Sequence, residues 1–536
     1  MQSLREGPDL ALSRVERLEL RKADTRWDRY DTALAGVGAI ATIFVHPVHA
    51  MLTHPYWFDE AWVAVLTKAP FRRLPDLSAS APMGFAALLK LVPGTGLQRG
   101  RLVPLGFTVL TVVMAYVLAR TQPWAKRAAA RLAAIAAALL VMLVPLSLQR
   151  NDLKQYTCDA FFALVLLTIG AWAEREPHRS RLFWLAGAAI VAIPFSSASA
   201  FVTAAMFAGL FASALWARNR QRMADIATGG FVAAVGVGAY MGVVLLPTLN
   251  PSLKNFWATY YLSGTPIDVV RDSWDRLAAI PVQLAMPVPV FIGLFVAGIG
   301  VLLSLRSRAL AIALPVLWIE MVAAGRLRKY PYLDVRTSHF LLIASFVMVA
   351  IGAAGLLLAL ARVGRVAGPR AGVVLATAVG CVMAACFTSA FHQHVGQLAI
   401  RGEDVRSGTL AVAARRTADD VILVSSSARY GFSYYWPHSH IVFHSDTSGQ
   451  GFWPEVSGLG AIYARGRTDA DVLAALRTAV DRWHASPKGS RLLIVRTHLS
   501  PDELLAWHAA FDKFGLKPHR ENFGGDVVLV VPPGGG

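Results

Sequence analysis

The sequence predicts a mainly α-helical, polytopic membrane protein of about eleven transmembrane helices with an extracytoplasmic α/β domain at its C-terminal end. Three observations carry this reading. Hydrophobic residues make up 55% of the 536 residues and charged residues only 16%, where about 25% charged is usual in water-soluble chains. Mean hydropathy is +0.47, too high for a chain that lives wholly in water. The apolar residues also gather in long runs separated by short basic segments, as spans and their loops do. The same composition excludes a coiled coil, a disordered tail protein and a disulfide scaffold.

Residues 1–31 are polar and mixed in charge, with Arg14, Arg17, Arg21, Lys22, Arg26 and Arg29, and read as a cytoplasmic segment. The apolar run at 32–52 follows a long leader and has no small-residue cleavage site after it, so it reads as an uncleaved anchor. Further runs lie at 102–119, 132–148, 158–173, 182–194, 200–217, 226–246, 284–304, 309–324, 338–358 and 371–388. Together they define a membrane domain over 32–388. Alternate loops carry Arg120, Lys126, Arg127 and Arg131, then Arg175, Arg179 and Arg181, then Arg218, Arg220 and Arg222. The series continues with Arg306 and Arg308, then Arg362, Arg365 and Arg370. All of these fall on the side of the N-terminus, which places it in the cytoplasm of a multi-pass protein of the inner (plasma) membrane. The formal charge of +18 is distributed over these loops, so it points to membrane lipid as a partner and not to nucleic acid.

An odd number of spans puts residues 389–536 outside. There Asp420-Val-Ile-Leu-Val-Ser425, Arg491-Leu-Leu-Ile-Val-Arg496 and Asp526-Val-Val-Leu-Val-Val531 read as buried strands, and 469–483 and 501–514 have helical spacing. Strands alternating with helices predict a largely parallel sheet. This part has no Gly-x-Ser-x-Gly and no P-loop, so no independent catalytic site is expected in it. Cys158, Cys381 and Cys386 lie in or beside apolar runs, which leaves the polar end without a disulfide framework or a zinc site.

The outer loops hold nearly all the distinctive chemistry. The first begins His54-Pro-Tyr-Trp57-Phe-Asp59-Glu60-Ala-Trp62, passes Ser80-Ala-Pro82-Met-Gly84 and ends at Arg101. The second contains Asp152-Leu-Lys154-Gln-Tyr156, and the fifth runs Arg326-Leu-Arg328-Lys329-Tyr330-Pro-Tyr332-Leu-Asp334-Val-Arg336. Bland readings exist for each: a solvated helix start for the acidic pair, an interfacial aromatic belt, and basic side chains reaching for lipid headgroups. Yet cationic outer loops run against the topology rule and call for an anionic partner, for which a phosphate is the obvious choice. Carboxylates at the same membrane surface can accept a proton from a hydroxyl. His46, His49 and His54 do not have the spacing of a metal site and read as polar contacts between helices. His392-Gln-His394 reads as a surface loop, and Gly94-Thr-Gly96 as a turn.

Trp57-Phe-Asp59-Glu60, the following Ser80-Ala-Pro82 and Arg101 resemble the opening of the GT-C glycosyltransferases, in particular the bacterial family 39 type related to protein mannosyltransferases and to the lipid A aminoarabinose transferase. Lys154-Gln-Tyr156-Thr-Cys-Asp159 resembles that family's fourth-span opening, and Lys329-Tyr330-Pro331-Tyr332 followed by Arg336 its late loop. The resemblance covers about the first 390 residues. It departs at Leu333-Asp334-Val335, where the family usually has a glycine, and after Pro82, where an aromatic pair is missing. The resemblance implies an inverting transfer of a sugar from a polyprenyl-phosphate donor to an acceptor lipid, polysaccharide or protein. Asp59 would be the general base, with Glu60 supporting it or binding the acceptor. Lys154 and Arg336 would hold the donor phosphate and Tyr156 would orient it, with Arg326, Arg328 and Lys329 next in line and Trp57, His54 and Arg101 around them. A divalent cation is the one cofactor left open, since some relatives of this class need one and others do not. The competing readings are a transporter or flippase of a lipid-linked sugar and a non-catalytic assembly subunit. A transporter places ionisable groups within its spans, and here Glu320 is the main exception to spans nearly free of charge.

Overall fold

The computed structural model describes residues 27–77, 81–92, 98–149, 152–248, 255–367, isolated positions between 374 and 395, and 403–446, 451–520 and 528–532. Helix α1 (Arg29–Val45) is followed by short helices, among them α2 (Val48–Thr53), α3 (Phe58–Leu66) and α4 (Met83–Lys90). Then come α5 (Leu102–Arg120), α6 (Arg127–Leu143), α7 (Tyr156–Arg175), α8 (Arg179–Ala192), α9 (Ser199–Trp216) and α10 (Arg220–Tyr240). After α11 (Pro266–Ala278) the chain continues through α12 (Val288–Ser304), α13 (Arg308–Arg326) and α14 (His339–Ala367). Helices thus stand at the first ten expected places. Six of them, α5, α7, α9, α10, α13 and α14, are long and apolar enough to cross a membrane by length and composition. The other four, α1, α6, α8 and α12, have 17, 17, 14 and 17 residues. The expected run at 371–388 lies outside the described residues apart from isolated positions.

At two places a proline breaks an expected apolar run. The ring of Pro47 forces the preceding His46 into an extended conformation (φ −89, ψ 142), so the expected span 32–52 breaks into α1 and α2. Pro145 does the same to Val144 (ψ 136) and ends α6 at Leu143 rather than at 148. Helix α11 was not expected at all. Its start carries a legible signal, a capping box in which Thr265 and Asp268 each satisfy the other's backbone N–H.

The membrane face opposite the C-terminal domain is more than a set of basic loops. Asp31 on α1 has no exposed surface and is bound by Arg120 of α5 through two bonds of 2.9 Å. Tyr116 donates to it at 3.0 Å and Arg131 of α6 at 3.1 Å. One carboxylate therefore fastens three helices.

In the C-terminal domain, α15 (Val405–Arg415) leads to β1 (Val421–Val424), α16 (Ala428–Tyr435) and a hairpin of β2 (Ile441–Asp446) and β3 (Gly451–Val456). Next are β4 (Ile462–Tyr463), α17 (Asp469–His484), β5 (Leu492–Val495), α18 (Pro501–Lys513), β6 (His519–Arg520) and β7 (Val528–Val531). The main sheet has the order β4-β1-β5-β7-β6. It is mixed rather than largely parallel. β1 runs parallel to β4 and β5, but β7 is antiparallel to both β5 and β6. The segment 521–527 between β6 and β7 is too short for a helical crossover, which needs a dozen residues or more, so these neighbours must run antiparallel.

Side chains alternate across each strand, and the two faces of this sheet have different partners. Val421, Leu423, Leu492, Ile494, Leu529 and Val531 pack with Trp483, Trp507 and Phe511 of α17 and α18. Ile422, Val424, Leu493, Val495, Val528 and Val530 join a core that also holds Tyr430 and Phe432 of α16 and Phe58, Trp62 and Val65 of α3. The sheet is thus sealed on one side by elements that include part of the first long loop.

Removing the charge of Asp31 would strand Arg120 in the interior. Asp31→Asn is expected to cost about 3–5 kcal/mol, as for other broken buried ion pairs, and to lower the thermal midpoint of the purified protein. Asp28→Asn, whose side chain is partly open to solvent, is expected to change the midpoint far less.

Candidate functional site

The adjacent carboxylates of α3 face different surroundings. Glu60 has no exposed surface and forms a two-pronged ion pair with Arg101, Nε to Oε1 at 2.8 Å and Nη2 to Oε2 at 2.5 Å. The remaining hydrogens of Arg101 go to the backbone carbonyls of Met51, His54 and Pro55 at 2.7–2.9 Å. All donors of the guanidinium are then used, and none is left for a ligand. His54 takes part only through that carbonyl, since its side chain is exposed. Trp57 is buried at the start of α3, where its backbone N–H donates to Glu60 at 3.4 Å.

Glu60 also accepts the backbone N–H of Leu153 at 2.8 Å. This bond brings the 152–155 segment against α3. The next residue, Lys154, is 5% exposed, and its ammonium stands 5.0 Å over the ring of Trp62. Burial lowers the Lys154 pKa from that of an ordinary lysine, the Asp59 carboxylate raises it in opposition, and Arg336 adds to the lowering. Asp59 and Arg336 are therefore its electrostatic neighbours.

Asp59 points away from the Glu60 pair. Its Oδ2 accepts from Nη1 of Arg336 at 2.9 Å, and both side chains keep some exposure. Burial works against the Arg336 charge, but Tyr156, Asp334, Asp59 and Asp152 outweigh it and raise the pKa. Tyr156, at the start of α7, is buried beside this group. Three carboxylates (Asp59, Asp152 and Asp334), two cations and a phenol thus come together from α3, the 152–156 segment and the loop before α14, and Arg336 also stands 4.0 Å from Asp334.

That loop owes its shape to local bonds. Asp334 accepts the backbone N–H of Thr337 at 3.0 Å through its side chain and that of Ser338 at 2.8 Å through its carbonyl. Leu333 has φ 53, the left-handed conformation that glycine adopts freely. A leucine there is strained, and burial of its side chain in the membrane core offsets the cost. The departure from a glycine noted in the sequence is therefore a change of residue without loss of the turn, and Arg336 still reaches Asp59. From the other side, Arg276 of α11 donates to the carbonyls of Tyr332 at 3.2 Å and Thr259 at 2.7 Å, tying α11 to the same loop.

Other candidates stand apart. Arg326, Arg328 and Lys329 are exposed, and Arg326 donates to the Gly264 carbonyl at 3.4 Å. His46 is buried while His49 is exposed, and no group of three His, Cys, Asp or Glu side chains fit to hold a metal occurs among the described residues. A polar cavity of about 180 Å³ is lined by Tyr56, Ala64, Thr67, Lys90, Arg99 and Tyr434, and none of Asp59, Lys154, Tyr156 or Arg336 borders it. Lys90 there already donates to the carbonyls of Thr67 and Ala69.

The two carboxylates are separable by experiment. Glu60→Gln leaves Arg101 buried without a counter-charge and is expected to destabilise the protein by about 3–5 kcal/mol. Asp59→Asn breaks a partly exposed pair and is expected to cost less than about 1 kcal/mol. Thermal unfolding of the two variants in detergent checks this, and equal losses would contradict it.

No family model and no curated protein matches the chain. Solved structures do. ArnT from Cupriavidus metallidurans bound to undecaprenyl phosphate aligns with a TM-score of 0.51 at 14% identity, over 94% of this chain and 97% of that one. Its apo state gives 0.52 at 16% identity, over 94% and 98%. The oligosaccharyltransferase AglB from Archaeoglobus fulgidus, in complex with an inhibitory peptide and a dolichol-phosphate, gives 0.52 at 11% identity, over 87% and 69%. The likeness runs through the membrane helices and on into the C-terminal domain of this protein, which is a polytopic membrane protein with the GT-C fold.

Proposed function

We propose that this protein transfers a sugar from a polyprenyl-phosphate donor to an acceptor hydroxyl, with inversion at the anomeric carbon, on the extracytoplasmic face of the membrane. The observation that carries this reading is the convergence of Asp59, Lys154 and Arg336 in a partly open site, beside a second carboxylate that is sealed off. The presence of undecaprenyl phosphate on ArnT and of dolichol-phosphate on AglB supports a lipid phosphate as the carrier.

In the reaction, Asp59 accepts the proton of the acceptor hydroxyl. The oxygen forms a bond to the anomeric carbon as the bond from that carbon to the phosphate oxygen breaks. Polyprenyl phosphate leaves with the bonding pair, and the charge it gains is met by Lys154 and Arg336. A single in-line displacement inverts the anomeric centre. The resting Asp59–Arg336 pair suits this order of events. The Asp59 carboxylate is engaged by the Arg336 guanidinium, and a phosphate that draws Arg336 to itself frees Asp59 once the donor is in place. Lys154, buried beside an indole ring, gains from the same anion, because a desolvated ammonium is costly until it is paired.

Transfer by the purified protein from a panel of undecaprenyl-phosphate monosaccharides tests the assignment. Asp59→Asn is expected to lower turnover about a hundredfold or more and to spare donor binding. Lys154→Ala and Arg336→Ala should each lose on the order of 2–4 kcal/mol of transition-state stabilisation. Full activity of Asp59→Asn would remove Asp59 from the chemistry.

The lowered pKa of Lys154 gives a pH signature. The phosphate needs the protonated amine, so donor affinity should fall as pH rises through a value below the ordinary lysine pKa. In Lys154→Arg the charge persists, and this alkaline loss should move to higher pH. An unchanged alkaline limb would mean that Lys154 does not touch the donor.

A further inference from the structure

The first turn of α3, which carries Asp59, is gripped by the C-terminal domain. Glu403, just before α15, accepts the backbone N–H of Phe58 at 3.2 Å. Its other oxygen is paired with Nδ1 of His498 at 2.6 Å. The His498 ring lies flat on the ring of Phe58, centroids 4.9 Å apart and planes within 10°, and the Trp57 ring is 6.0 Å away. Arg467 places its guanidinium 5.2 Å from the centre of the Phe58 ring. Two residues further back, the Tyr435 hydroxyl accepts the Tyr56 N–H at 2.7 Å.

Two features mark this as a built arrangement. The opening N–H groups of a helix have no partner within it, and here the Phe58 N–H is served by a carboxylate from more than 300 residues away. A negative charge at that end also favours the helix dipole. His498, for its part, has φ 52, a left-handed conformation that a residue with a Cβ adopts only when its surroundings hold it there. It follows β5, on the loop leading to α18, and that strained backbone presents the ring to Phe58.

We propose that Glu403 and His498 are positioning residues for Asp59, so that the C-terminal domain sets turnover without touching substrate. The proposal rests on the reading of Asp59 as the base. Phe58 is covalently next to Asp59, and fixing both its amide and its ring fixes where the Asp59 carboxylate sits against Arg336. A misplacement of about 1 Å at a reacting group can cost about a hundredfold in rate.

The test uses the full-length protein in lipid nanodiscs, with His498→Ala and the nearly isosteric Glu403→Gln made in both the Asp59 and the Asp59→Asn backgrounds. Hydrogen exchange of the amides at 58–62 should quicken about tenfold in either variant, with the global melting temperature little changed. Turnover with undecaprenyl-phosphate monosaccharides should fall about tenfold while the donor KM stays within about twofold. In the Asp59→Asn background the same substitutions should have no further effect, because a residue acting through Asp59 has nothing left to position. Unchanged exchange at 58–62 would overturn the proposal, and so would a loss of turnover equal in both backgrounds. The exchange measurement needs no substrate, so it judges the clamp even where no sugar in the panel is transferred. If Asp59→Asn alone keeps full activity, the assignment of the base fails, and exchange still decides whether the grip on α3 exists.

Discussion

A carboxylate with no exposed surface must be paired, and the pairing of Glu60 fixes the geometry around it. Its bonds to Arg101 hold α3 against the start of α5, and Arg101 in turn gathers the carbonyls of Met51, His54 and Pro55. Its bond to the Leu153 N–H docks the segment before α7. The residues next to these anchors are Asp59 and Lys154. Neighbouring positions on a helix point in different directions, so committing Glu60 to the interior turns Asp59 outward. The same bond that seats Leu153 brings Lys154 close enough to Asp59 and Arg336 for each to feel the others' charge. The candidate site is arranged by a pair that takes no part in it.

The helical framework was legible because apolar runs of this length have few other uses, while the expected runs passed through the breaks that Pro47 and Pro145 impose by a local steric rule. The Asp59–Arg336 and Lys154 grouping was legible only in part. The sequence shows which residues carry charge but not which way each side chain points, so Arg326, Arg328 and Lys329 stood next in line after Arg336 although they lie exposed. Arg101, expected around the site, is used up by carbonyls and Glu60. Nothing local distinguishes these outcomes, because both depend on partners 40 or more residues away. The hairpin β2–β3 and the antiparallel β7 were missed for a related reason. Strand direction is set by the length and content of connections, which the apolar pattern of the strands themselves does not carry.

The packing of the C-terminal domain ties it to the first long loop. One face of its sheet is covered by α17 and α18, while the other contributes to a core that includes α16 and the aromatic side chains of α3. Its apolar surface is therefore completed by the segment that carries Asp59. The sheet and α3 share one core, in which Glu403 and Tyr435 accept the backbone N–H groups of Phe58 and Tyr56 and the His498 ring stacks on Phe58.

The central claim is that Lys154 and Arg336 form the phosphate seat and that Arg336 is shared between the phosphate and Asp59. The most direct measurement is an experimental structure of the protein with undecaprenyl phosphate bound. The phosphate should lie about 2.7–3.0 Å from Nζ of Lys154 and from the guanidinium of Arg336, with the Asp59–Arg336 contact lengthened beyond its 2.9 Å. A phosphate held instead by Arg326, Arg328 and Lys329, with the Asp59–Arg336 pair unaltered, would contradict the account.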